Sequence, residues 1–133
     1  MNLNISNTLN QGIIAQNNGH FQEAARLYRI VLLSEPNNSD AFHNLGIISL
    51  IYSKIDEALI NFKNAIVNNP KIEQFWISYI QTLIKNNDLQ KAKKSLKKAR
   101  QKGIPKTILY RLNEQTISKI QKPSPSEFGM NNI

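Results

Sequence analysis

A repeat with a step of 34 residues runs through most of this 133-residue chain. Side chains of similar size recur at that step from one end of the chain to the other. The recurring sets are Ala24, Ala58 and Ala92, then Tyr28, Phe62 and Leu96, then Val31, Ala65 and Ala99, and finally Phe42, Trp76 and Tyr110. A recurrence of this kind predicts a protein built from similar units stacked on one another.

Within one unit, the pattern is that of two helices packed against each other. Small residues at Gly46 and Ala58 allow two antiparallel helices to approach closely. The larger Phe42 and Phe62 fill the space that remains, as the close packing of protein interiors requires. Pro70 cannot continue a helix and ends the second one.

Small, aromatic and proline positions in this order, at a step of about 34 residues, resemble the tetratricopeptide repeat (TPR). The resemblance covers roughly residues 5–121. It implies an all-α, right-handed α-solenoid of helix-turn-helix repeats, with a concave groove lined by the first helix of each repeat. The expected parts are three repeats at about 5–38, 39–72 and 73–106, a C-terminal capping helix at 107–121 that hides the last apolar surface, and a flexible tail at 122–133.

The pattern also predicts how individual helices begin and how they are buried. Ser39 or Asp40 is expected to cap the third of seven helices. Ser53 is expected to open the fourth, with Asp56 at capping-box spacing. The third helix, at 40–52, carries apolar side chains nearly all round, so it is expected to be buried nearly all round.

Composition argues against several classes of protein. The chain has no cysteine, which excludes a disulfide framework and a cysteine metal site. No stretch approaches the roughly 20 apolar residues of a membrane span. Residues 1–11 lack the basic cluster and long apolar run of a signal peptide. A soluble, cytoplasmic protein is therefore expected.

The net charge of +8 is concentrated in one segment of the chain. Residues 85–122 carry twelve lysines and arginines against Asp88 and Glu114. A cation-rich face attracts phosphate polymers and anionic lipid. The aromatic side chains that would stack on bases are absent from the basic helix in this segment. A solvated charged face is favoured, and no specific nucleic-acid binding is expected.

Residues suited to catalysis are scarce. His20 and His43 are the only histidines, and they do not stand at a metal-ligand spacing. Without cysteine, the available nucleophiles are serine, threonine and lysine, and no glycine-rich phosphate loop is present. The sequence therefore predicts a protein that is not an enzyme and holds no metal or cofactor.

The TPR resemblance makes the concave groove the candidate binding site. The lining residues it implies are Leu9, Ile13, Asp40, His43, Asn44, Ile47, Ile51, Gln74, Ile77, Gln81, Ile84 and Arg111. A strip so rich in isoleucine indicates a partner with apolar side chains of its own. The alternative is that the short superhelix closes on itself and buries part of this strip.

One known TPR activity does not carry over to this chain. TPR proteins that grip the acidic C-terminal tails of heat-shock chaperones use a clamp of Lys, Asn and Arg in the groove. Of those positions only Asn44 has the clamp residue here.

The resulting functional prediction is a protein-interaction module that binds a partner peptide or protein in its groove. Two alternatives stay open at this point. One is a homodimeric structural element, in which the third or the last helix packs on a second copy. The other is a substrate-presenting accessory domain, similar to the TPR blocks that precede bacterial transferase domains, without its catalytic domain.

Overall fold

The computed structural model describes residues 4–121, which form seven helices and contain no strand. The helices are α1 (Ile5–Asn17), α2 (Phe21–Ser34), α3 (Ser39–Ile51), α4 (Ile55–Asn68), α5 (Glu73–Lys85), α6 (Leu89–Gln101) and α7 (Lys106–Gln121). The all-α prediction is therefore confirmed. The predicted tail lies outside the described residues.

The helices pack as hairpins that follow one another along the stack. Helices α1 and α2, α3 and α4, and α5 and α6 form the pairs, and each of the three expected repeat ranges contains one pair. Successive pairs are joined by contacts of α2 with α3 and of α4 with α5, and α7 packs on both α5 and α6. Each unit therefore contacts mainly its neighbours in sequence, as in other solenoids.

The residues that recur every 34 positions form the core of this stack. Ala24, Ala58 and Ala92 are completely buried, because two helices of a pair cross there. A Cβ atom added to Gly12 would lie 2.6 Å from Cε1 of Tyr28. Since that is closer than van der Waals contact allows, only glycine permits the aromatic ring of the second helix to lie against the first.

The helix starts differ from the predicted caps. Helix α3 is capped by Asn38, whose side-chain oxygen accepts a hydrogen bond from the Ala41 N–H at 2.9 Å. The predictions of Ser39 and Asp40 as caps were wrong, because both residues belong to the first turn of the helix. A cap must stand outside the helical backbone so that its side chain can turn back onto the first N–H groups.

The turn before α4 explains why the capping box predicted at Ser53 was also wrong. Ser53 has a φ of 58°, in the left-handed region, and α4 begins two positions later at Ile55. Gly19 and Asn87, one repeat step on either side, also have positive φ, at 79° and 62°. This position therefore closes the turn within each repeat, a role that glycine and asparagine fill with least strain.

Helix α3 is less buried than its composition predicted. Leu45, Ile48 and Ser49 are buried between neighbouring helices, but Ile51 is 45% exposed and Ile47 is half-buried. The expectation of burial nearly all round was wrong, because no described helix covers the side that carries these two isoleucines. That side belongs to the candidate site.

Helix α7 closes the described part of the stack. Leu109, Leu112 and Thr116 are buried against α5 and α6. The ammonium group of Lys119 donates a hydrogen bond at 2.6 Å to the Ile84 carbonyl in the last turn of α5, which also accepts one from the Asn87 N–H. A lysine in this place also interacts favourably with the negative end of the helix dipole.

Candidate functional site

All twelve predicted site residues lie on the first helices of the hairpins, that is α1, α3, α5 and the unpaired α7. The exposed members are Ile13, Asp40, Ile51, Gln74, Gln81 and Arg111. The half-buried members are Leu9, His43, Asn44, Ile47 and Ile77. Ile84 is buried, with 7% of its surface exposed. Most of the predicted lining is therefore accessible, and Ile84 forms part of the supporting layer beneath it.

His43 joins the first helices of two neighbouring repeats. Its Nε2 atom lies 2.8 Å from the Ser78 hydroxyl, with which it shares a hydrogen bond. Its ring packs in tilted contact with Phe62 and Phe75, at centroid distances of 5.4 and 5.0 Å. Burial lowers the pKa of His43 below its usual range, so the imidazole is neutral at physiological pH. His43 therefore supports the floor of the site by holding α3 against α5.

The Ser78 hydroxyl is a further polar group of the site, beside the twelve residues above. It is buried, and it also accepts a hydrogen bond from the Gln74 side-chain amide at 3.1 Å. Ser78 stands one repeat step after Asn44. The repeat register therefore places it on the same side as Asn44.

The two halves of this surface differ in chemistry. On α1 and α3 it carries a strip of apolar side chains, Leu9, Ile13, Ile47 and Ile51, and two of them are more than one third exposed. On α5 and α7 the exposed members of the predicted set are Gln74, Gln81 and Arg111 instead, and Ile77 is half-buried. The surface is apolar toward the N-terminal end of the stack and polar toward the other end.

A depression of about 620 Å³ between α5 and α7 marks the polar half. Its lining includes Gln81, Ile84 and Glu114 together with two cations, Lys85 and Lys119. Lys85 and Lys119 were not among the predicted residues. They follow Ile51 at successive 34-residue steps, so the repeat register predicts that all three positions face the same side.

The described residues hold neither a cluster suited to a metal ion nor a helix able to span a membrane. Within residues 4–121, no group of three His, Cys, Asp or Glu side chains is arranged to hold a metal ion. None of the seven described helices combines the length and the apolar character needed to cross a membrane.

The sequence comparisons give a partial match. No family model matches the chain. Photosystem I assembly protein Ycf3 from Prochlorococcus marinus (strain MIT 9301) is 36% identical over 63 residues, which cover 45% of this chain. The matched region is 36% of that relative, so the chain spans only about a third of its length.

The structural comparisons cover nearly the whole described chain. The Sgt2 TPR domain from Aspergillus fumigatus superimposes with a TM-score of 0.76 at 20% identity, covering 90% of this chain and 81% of that domain. The TPR2B domain of yeast Sti1, in its complex with pHsp70, gives 0.75 at 16% identity, covering 86% and 97%. The Yersinia enterocolitica type III secretion chaperone SycD, in complex with a peptide of the translocator YopD, gives 0.69 at 16% identity, covering 87% and 88%.

Identities this low show the fold alone. The hairpin order, the buried positions of the repeat and these superpositions agree with one another, and they confirm the predicted right-handed solenoid. The chain has the TPR fold.

Proposed function

We propose that this protein is an interaction module that binds a peptide or protein segment in its concave groove and has no catalytic role of its own. The observation that carries the proposal is the exposure of Ile13 and Ile51, at 37% and 45%, on the groove side of α1 and α3. Apolar side chains on a concave surface are typical of a binding site for another protein.

The solved neighbours support this class of function. The yeast Sti1 domain is seen in a complex with pHsp70, and SycD is seen with a peptide of YopD. Both share the fold of this chain over most of its length. Binding of another protein or of a peptide is therefore a use to which this fold is put.

The two halves of the groove suggest the chemistry of the segment. Ile47 and Ile51 offer apolar contact on α3, while Gln81, Lys85 and Arg111 offer donors and positive charge farther along. A segment with apolar side chains at one end and acidic or amide side chains at the other would complement both halves. The neutral His43 then serves as packing beneath the segment.

The test is a double variant, Ile13→Asp with Ile51→Asp. Burying a large apolar side chain contributes about 1.5–3 kcal/mol, so losing two such contacts is expected to weaken partner binding by at least about tenfold. Partners captured by the wild-type chain are first identified by mass spectrometry, and the affinity of one purified partner is then measured for each variant. Because both positions are exposed, the melting temperature should change little.

The matched control is Leu33→Asp with Val67→Asp. These side chains are 83% and 69% exposed on the second helices, α2 and α4, so the chemical change is the same and the location differs. The control should keep wild-type affinity. Equal losses in both double variants, or full retention in the groove variant, would place binding outside the groove.

The homodimer remains a second candidate because the same exposed isoleucines would suit a second copy of the chain. Static light scattering separates the two. A mass of one chain at micromolar and higher concentration favours the monomeric module. A mass of two chains that returns to one in the Ile13→Asp, Ile51→Asp variant favours the dimer.

A further inference from the structure

A second surface lies between α6 and α7, on a different part of the molecule from the concave groove. Two adjoining depressions of about 320 and 440 Å³ share Leu96, Arg100 and Asn113 in their walls. The floor also includes the buried Leu109 and the half-buried Ile117. These residues together form the C-terminal groove.

The other hairpins show what fills the corresponding space in a complete repeat. Helix α3 packs on α2 and is then covered along its length by its own second helix, α4. Helix α7 packs on α6 in the same way, but no second helix follows it among the described residues. Tyr110 is 67% exposed, whereas Trp76, one repeat step earlier, is 4% exposed. The C-terminal groove therefore has the surroundings of a site that a helix occupies elsewhere in the stack.

The rim of this groove is cationic. Lys93, Lys97 and Arg100 on α6 and Lys106 on α7 line the two depressions, and no acidic residue does. Within residues 4–121, the one ion pair joins Glu23 to Arg26 on α2, so none of the four rim cations has a carboxylate partner there. Four cations this close together act jointly on any charged group that enters the groove.

We propose that the C-terminal groove binds an acidic amphipathic helix of a partner protein, which packs beside α7 where a second helix would lie. The apolar floor fits the apolar face of such a helix, and the rim fits acidic side chains on its flanks. A phosphate polymer would satisfy the rim but leave the leucine and isoleucine floor without a partner. This inference is independent of the function proposed for the concave groove.

The chain's own tail is a poorer occupant on the same criteria. Residues 122–133 carry a single acidic residue, Glu127, against four rim cations. They also contain Pro123 and Pro125, and proline interrupts a helix after its first turn. The charge of the rim therefore favours a helix from another protein.

The test uses two synthetic peptides of 14 residues, the length of α2 and α4. Both carry the spacing of small, large and small apolar residues found in those helices, and they differ only in having glutamate or glutamine on the remaining positions. Binding of each labelled peptide to the full chain is measured by fluorescence anisotropy. The glutamate peptide is expected to bind at least about tenfold more tightly than the glutamine peptide. The ratio of the two affinities should fall as the salt concentration is raised. Equal affinity for both peptides would overturn the proposal.

Matched variants on one helix locate the binding. Lys93→Glu with Lys97→Glu reverses two rim charges, while Lys94→Glu with Lys98→Glu makes the same change in net charge at exposed positions of α6 outside the depressions. The rim variant is expected to lower the affinity for the glutamate peptide by about tenfold or more, and the control by much less. Equal losses would mean that only the general charge of α6 attracts the peptide, which would overturn the groove as the site.

One further variant tests whether the tail at 122–133 competes with the peptide for the C-terminal groove. Phe128→Ser with Met130→Ser removes apolar side chains of the tail from the full chain. Unchanged affinity for the glutamate peptide is expected. An affinity that rises by about tenfold would show that the tail occupies the groove, and would overturn the proposal of an external helix.

Discussion

Within residues 4–121, the first and the last helix each have a side that no described helix covers, and the two sides carry different side chains. At the N-terminal end, Ile14 on α1 is 60% exposed, although Ile48, Thr82 and Thr116 at successive repeat steps are all buried. At the other end, Tyr110 is exposed where its equivalent Trp76 is not. The same position is thus core or surface according to whether another helix lies beside it.

The chemistry around these exposed side chains differs between the two ends. Helix α1 contains no charged residue, and its exposed positions include the neutral amides Asn7 and Gln11. Helix α6 instead places a row of cations beside α7. Neutral amides keep a terminal helix hydrated without attracting a particular charge, whereas cations around an apolar floor select an acidic partner. The difference is one of charge: the uncovered side of α1 is neutral, whereas the one beside α7 is cationic.

Packing inside the hairpins also changes along the stack. Gly12 lies against Tyr28 and Gly46 lies against Phe62, so a missing side chain on one helix is matched by a ring on the other. One repeat later the same two positions hold Ile80 and Leu96. The glycine is thus replaced by a larger residue and the ring by a smaller one. The space that one large ring fills in the first two hairpins is therefore filled from both helices in the third.

The largest expected difference in the free energy of unfolding is between two equivalent aromatic residues, Trp76 in the interior and Tyr110 at the end. Trp76→Ala is expected to lower the free energy of unfolding by about 3–5 kcal/mol. It empties a buried site and removes the indole donor to the Pro70 carbonyl at 2.8 Å. Tyr110→Ala should change the same quantity by no more than about 0.5 kcal/mol. Urea denaturation of both variants gives the comparison, and a large loss for Tyr110→Ala would show that this ring is covered in solution.

A similar pair tests the N-terminal end. Ile48→Ala should cost about 2–5 kcal/mol, because Ile48 is 4% exposed between helices. Ile14→Ala, one step earlier and 60% exposed, should be nearly neutral. Melting temperatures from circular dichroism report both. Similar destabilisation in the two variants would contradict the open N-terminal end.

A smaller effect is expected at the crossing of α3 and α4. Gly46→Ala places a methyl group against the Phe62 ring and should cost about 1–3 kcal/mol. Adding Phe62→Leu approaches the pair found one repeat later, Ile80 with Leu96, and should recover part of the loss. A double-mutant cycle in urea measures this coupling. Losses that simply add would mean that the two positions do not share one packing volume.

The smallest expected effect is a pH dependence that belongs to the interior. Burial lowers the pKa of His43 in the folded protein, so the unfolded chain takes up a proton more readily. The stability linked to His43 is therefore fully present above its unfolded pKa of about 6.5 and is lost as pH falls below that value toward the lowered folded pKa. His43→Gln should flatten the decline of melting temperature just below that pH. An unchanged decline would show that other groups cause it.

The 34-residue recurrence was enough to predict the seven helices, their pairing and the residues at their crossings. Ala58 and Phe62 are completely buried, as their spacing required. These properties follow from the sequence because small and large residues at fixed spacing specify which faces of two helices can meet. The groove register likewise placed the predicted site residues on the first helices, although their binding of a partner stays a prediction.

The helix starts were decided by which of several neighbouring residues takes the N-cap position, and the periodicity of the sequence does not predict that. Asn38, Ser39 and Asp40 are all suitable caps by residue type, and only the backbone conformation determines which one turns back onto the helix. Ser53 was misread for the same reason, since a serine that caps a helix and a serine that closes a turn have the same side chain.

Tertiary structure alone decided which equivalent residues are exposed. Ile14 and Ile48 have the same side chain at the same repeat position, yet only Ile48 has helices on both sides of it. Trp76 and Tyr110 likewise hold aromatic side chains at one repeat position, and Trp76 is buried whereas Tyr110 is 67% exposed. Periodicity fixes the direction in which a side chain points, whereas its burial depends on a neighbour that belongs to another part of the chain.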